Sequence, residues 1–163
     1  SWIVGLRNSN DKSFPTGVIA GSRVFVCDNL AFNGMVKIQR KHTRFAQRDL
    51  RPLTQGAIQE LDQHLNVQDL RITNYKDKSV TDLRAHDMIV RAVDAGAITN
   101  TQIPDVLDQW RKPAHDYFQE RTAWSLFNAF TEVTKTNNLH TQVTRGEHLQ
   151  RLFDERYPLA LAS

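Results

Sequence analysis

A single cysteine, Cys27, stands among 163 residues. One thiol excludes an intrachain disulfide framework and any cysteine-rich zinc or iron–sulfur centre. No apolar run approaches the ~20 residues that cross a bilayer. Ser1-Trp2-Ile3-Val4-Gly5 carries no basic leader before its apolar residues, so no signal peptide is read there. Together these features make the cytoplasm the expected compartment. The seven glycines are scattered at positions 5, 17, 21, 34, 56, 96 and 146, and no GxGxxG, Walker or GxSxG motif is present. A glycine-rich phosphate cradle and a nucleophile elbow are thereby excluded. The six histidines show no zinc-ligand spacing, so neither a metal nor a cofactor is expected. Acidic residues are scarce in one place only, the first 51 positions.

Those 51 residues hold nine Lys and Arg against three Asp and Glu, a net +6; the remainder carries 12 against 15, a net −3. A local field of one sign raises the concentration of an oppositely charged partner. Lys37, Arg40, Lys41, Arg44, Arg48 and Arg51 form the densest cluster, with His42 among them and only Asp49 opposing. Lys37 and Lys41 share one face of a strand, and Arg44, Arg48 and Arg51 follow at helical spacing. A strand-to-helix junction built this way presents several cations together, with Arg23 flanking. The same cluster also reads as a solvated basic face that pairs with acidic helices.

With 40% apolar and 24% charged residues, the chain falls in the globular range and is long enough for one domain. Its pattern changes near residue 45. Before that point Trp2–Arg7, Thr16–Ala20, Arg23–Cys27 and Met35–Lys41 read as short strands separated by the turn residues Asn8–Ser13, Gly21-Ser22 and Asn33-Gly34. Afterwards the period is helical. Ile58, Leu61, Leu65, Ile72 and Tyr75 make one stripe, in which Gln68 is the non-apolar member. A second helix is expected from about Thr81, with Ser79 or Thr81 as N-cap, through Leu83, Ile89, Val90 and Val93 to near Gly96. A third opens at Pro104 and runs through Val106, Leu107 and Trp110 to the break at Lys112–His115. The best-defined helix is Thr122–Lys135, followed by a short amphipathic segment with Leu149, Leu152 and Phe153. The expected class is α+β: an antiparallel sheet of about four strands (1–43), then four or five helices (44–163) packed on one of its faces as a single domain.

Four side chains are candidates for acid, base or metal-ligand chemistry. Asp11 and Asp28 lie in turns beside strand ends, where such residues mostly bond their own backbone. His42 sits in the basic cluster. Glu132 follows Asn128 by one helical turn, beside Trp124 and Thr131, and reads either as a general base or as the polar side of a packed helix. Cys27 reads as a small buried hydrophobe, or as a thiolate needing a base that only the fold can supply.

Four blocks in order, GLRNSNDKSF, GSRVFVCDNLAFNG, RKHT and RTAWSLFNAFTEVTK (Arg121–Lys135), resemble the domain-of-unknown-function 932 family of phage- and plasmid-like bacterial proteins. The resemblance runs from about residue 4 to residue 154. It implies a mobile-element setting and supplies no catalytic residue. Members of that family carry an additional N-terminal portion, so the chain is expected to be the C-terminal part of a longer protein. The leading expectation is an accessory protein, without catalysis, that binds nucleic acid through Arg23, Lys37, Arg40, Lys41, Arg44, Arg48 and Arg51. Single strands are favoured over duplex, because no helix-turn-helix or zinc-finger signature is visible. The alternatives are a metal-dependent hydrolase or nuclease using Asp11, Asp28, His42 and Glu132, and a module binding an acidic protein of host defence. Exposed sheet edges also make a homo-oligomer an expectation.

Overall fold

The computed structural model describes residues 66–115, 121–137 and 139–159, without the side chains of 139, 140 and 143. Before residue 66 it describes Gln55 and the backbone of four extended segments, Trp2–Arg7, Thr16–Arg23, Leu30–Asn33 and Ile38–Arg40. The side chains of the expected sheet lie outside the described residues.

Residues 66–76 form α1, the described end of the first predicted stripe. Tyr75 and Gln68 are buried on it, and Ile72 packs against the core. Gln68 tolerates that position because its Oε1 accepts from Arg71 one turn on. α2 (Asp82–Asp94) starts where the Thr81 hydroxyl accepts from the Arg84 N–H, with Asp82 in the first turn facing the positive end of the helix dipole. It ends in a Schellman turn. The Ala97 N–H reaches Ala92 O at 2.8 Å and the Gly96 N–H reaches Val93 O at 2.9 Å. Gly96 sits at φ 71°, where a side chain is strained.

The buried face of α2 is Ala85, Met88, Ile89 and Ala92, spaced at three, four and seven. Leu83 and Val90, expected inward, are 80% and 59% exposed. Met88 and Ile89 take the inward places, with Ala85 and Ala92 on the same face letting neighbouring elements approach.

A 3₁₀ turn (Asn100–Gln102) leads into α3 (Ile103–Arg111), with Pro104 in its first turn and Val106 and Trp110 buried. α4 (Ala123–Thr134) is capped by the Thr122 hydroxyl, which accepts from the Ser125 N–H at 3.2 Å. Ahead of it, Val80 N–H donates to Arg121 O and Ala123 N–H to Lys78 O, each at 2.8 Å. This short antiparallel bridge, Ser79 opposite Thr122, joins the entrances of α2 and α4. α5 (Leu139–Arg156) is an 18-residue helix rather than the short segment expected.

The expected α+β class, helices laid on one face of an N-terminal sheet, is corrected: residues 66–157 are 74% helical and contain no strand and no sheet. The physical reason lies in α4. Every residue from Ala123 to Thr131 is buried, on all sides of the helix. A helix covering one sheet face would bury a single stripe. α4 packs chiefly against α3 and α5, and to a smaller extent against the Leu30–Asn33 segment. Phe153 of α5 is the hub: its ring lies 5.1 Å from Phe127 and 6.0 Å from Phe130, both edge-on, and 5.6 Å from Tyr75.

Phe153→Ala is expected to lower the unfolding free energy by about 3–5 kcal/mol, read by urea denaturation. A loss under about 1 kcal/mol would remove Phe153 from the centre of the core. Gly96→Ala is expected to lose about 1–2 kcal/mol through the left-handed backbone alone.

Candidate functional site

The polar side of α4 faces the turn that follows α3. Gln109, Pro113, Ala114, His115, Ser125, Asn128, Ala129 and Glu132 line a cavity of about 10 Å³ there. The break at Lys112–Pro113 allows this arrangement, since the Ala114 N–H donates back to Gln109 Oε1 at 3.3 Å. Asn128 is 1% exposed. Its Nδ2 donates to Trp124 O at 2.8 Å, while its Oδ1 is buried without a partner. Glu132 is half-buried at the same cavity and accepts from the Lys135 ammonium one turn on.

Of the four acid–base candidates, Glu132 alone falls among the described residues; Asp11, Asp28 and His42 lie outside them. His115 and Gln109, which the sequence analysis did not single out, are its actual neighbours at the cavity. The one available signal was Pro113, which forces the chain out of the helix and makes a return possible. Arg23 and Arg40 fall in extended segments whose side chains are not described, and Lys37, Lys41, Arg44, Arg48 and Arg51 lie outside the described residues.

Two further polar clusters hold helices together. Arg71 Nε and the Tyr75 hydroxyl both donate to Asp154 Oδ1, at 2.7 and 2.6 Å. Burial, then the bond to Asp154 and its charge, pushes the Tyr75 hydroxyl far above its usual range. Elsewhere the Trp110 indole N–H donates to Asp82 Oδ1 at 2.8 Å, and Arg121 pairs with the same oxygen while its guanidinium lies 4.7 Å from the centre of the Trp110 ring. The Trp110 bond first, and Arg121 with it, hold the Asp82 carboxyl below the usual carboxylate range.

No family model, curated protein or solved structure matches this chain.

Among the described residues no group of three His, Cys, Asp or Glu is placed to hold a metal ion, and no helix is long and apolar enough to cross a membrane. An open groove of about 510 Å³ runs along α5, lined by Glu147, Gln150, Arg151, Asp154 and Glu155. The small cavity can hold one hydrogen-bonding molecule against a buried amide, with a carboxylate and an imidazole at its wall. The larger groove presents mixed charge, with the buried Gln150 at its wall.

Tyr75 stays protonated in the folded protein above its ordinary value of 10.0, whereas the unfolded chain ionises there. Its contribution to stability is therefore complete below about pH 10 and declines as pH rises further. Urea midpoints between pH 8 and 11 are expected to fall more steeply for the natural chain than for Tyr75→Phe. Equal slopes would place Tyr75 in contact with solvent.

Proposed function

We propose that this chain is a cytoplasmic, non-catalytic accessory protein of a mobile genetic element that binds nucleic acid through the basic segment from Lys37 to Arg51. Arg40, Lys41, Arg44 and Arg48 hold phosphate, with Arg23, Lys37 and Arg51 flanking. The observation that carries this reading is the separation of charge, nine cations against three anions in the first 51 residues and 12 against 15 beyond. The helical body supports it by contrast. There Arg71 pairs with Asp154, Arg91 with Asp87 and Arg121 with Asp82. The three carboxylates of the first 51 residues cannot match nine cations within that segment. The mobile-element setting rests on the four-block resemblance. Single strands are the preferred ligand.

Engaging about four to six phosphates gives a log–log salt slope of roughly −3 to −5. Fluorescence anisotropy of labelled single-stranded and duplex DNA over a salt series measures it. Replacing Arg40, Lys41, Arg44 and Arg48 together by Ala is expected to flatten the slope. An unchanged slope, or no binding by the natural chain at low salt, overturns the reading.

A further inference from the structure

Asn128 occupies a position that an aliphatic residue would fill more readily. It lies in the middle of α4 between the buried Phe127 and Ala129, and asparagine is a mediocre helix former. Its amide orientation follows from its one partner. A backbone carbonyl can only accept, so the nitrogen must face Trp124 O, 2.8 Å away. The oxygen is thereby left as a buried acceptor without a donor from the protein. Buried polar groups are nearly always answered, by protein or by an ordered solvent molecule.

The cavity lined by Asn128 has the volume of one such molecule. Its roughly 10 Å³ corresponds to about one water-sized sphere, too little for any organic ligand. Gln109, Ser125, His115 and Glu132, all with polar side chains, line it too, and a bound water needs two to four polar partners. Among the described residues the other buried unpartnered atoms, Asn137 Nδ2, His148 Nδ1 and Tyr157 Oη, belong to residues that line neither this cavity nor the α5 groove.

We propose that Asn128 Oδ1 anchors a single ordered water in this cavity, and that this water links α4 to the turn after α3. The amide thus works in two directions, its nitrogen to the helix backbone and its oxygen, through the water, to the chain around Ala114 and His115. The site is a solvent-binding one and is independent of the nucleic-acid reading.

A crystal structure of the natural chain at about 1.5 Å resolution tests it directly. The expected result is a water peak about 2.6–3.1 Å from Asn128 Oδ1 with at least one further protein partner. A fully ordered Asn128 with no solvent peak in that range overturns the proposal. Asn128→Leu gives a second, thermodynamic reading. Where a water answers the oxygen, the variant loses two satisfied hydrogen bonds, and Tm is expected to fall by about 2–6 °C. A rise in Tm would mean that the acceptor had been left unanswered in the natural protein, and overturns the proposal equally.

Discussion

Two consecutive residues of α5 carry the association of three helices. Phe153 sends its ring into the cluster with Phe127, Phe130 and Tyr75. Asp154, about 100° further round the helix, receives the Tyr75 hydroxyl and the Arg71 guanidinium. Tyr75 therefore meets both constraints at once: its ring demands an apolar neighbour and its hydroxyl demands an acceptor. A slip of α1 along α5 by one residue would satisfy neither. The Asn74 amide adds a third tie by donating to Tyr157 O at 2.9 Å. Aromatic packing supplies the driving force at this joint. The polar bonds contribute less net energy and more selectivity, because a misplaced buried hydroxyl or guanidinium is left unanswered.

The second joint works on different terms. The bridge between residues 78–80 and 121–123 brings the entrances of α2 and α4 together through backbone groups, whatever their side chains. Asp82 then serves three partners from one position: the amino end of α2, the Trp110 indole and Arg121. Arg121 completes the set by lying over the Trp110 ring. α3 is fastened to α2 through that indole, which explains why Trp110 rather than a smaller apolar residue ends the buried stripe of α3. The Asp82 side chain is exposed, so each contact is individually modest. Their value lies in converging on one carboxylate.

Much of the helical portion was legible because helix ends carry local signals. Thr81 and Thr122 cap, Pro104 opens and Gly96 closes where side-chain chemistry says they should. α5 was read too short since Thr141, Thr144 and Gly146 are poor helix formers and hide its first turns. Tertiary packing overrides that preference. The layer arrangement was harder. A signal against one-faced packing was nevertheless present in Ala123–Thr131, which carries six apolar residues and no charge. At the cavity, Asn128 and Glu132 were readable as one face at a spacing of four. Gln109 and His115 were not, because their approach depends on the chain folding back after Arg111, a long-range outcome that Pro113 permits without specifying.

The distribution of ion pairs bears on how the chain meets a partner. Arg91 with Asp87, Lys135 with Glu132 and Arg121 with Asp82 involve largely exposed or half-exposed side chains. Such pairs add little to stability. Electrostatically, though, each pair is a small dipole whose field fades within a few ångströms, while an unbalanced charge acts across a Debye length of about 8–10 Å at physiological salt. Among the described residues beyond residue 51, four of the 12 cations there, Arg71, Arg91, Arg121 and Lys135, pair with a neighbouring carboxylate, and the 15 acidic residues outnumber the cations as a whole. The excess of six positive charges in the first 51 residues stands against a net −3 in the remainder. On the proposed nucleic-acid reading, the net −3 beyond residue 51 and the scarcity of carboxylates before it act in the same direction, orienting long-range attraction toward one segment.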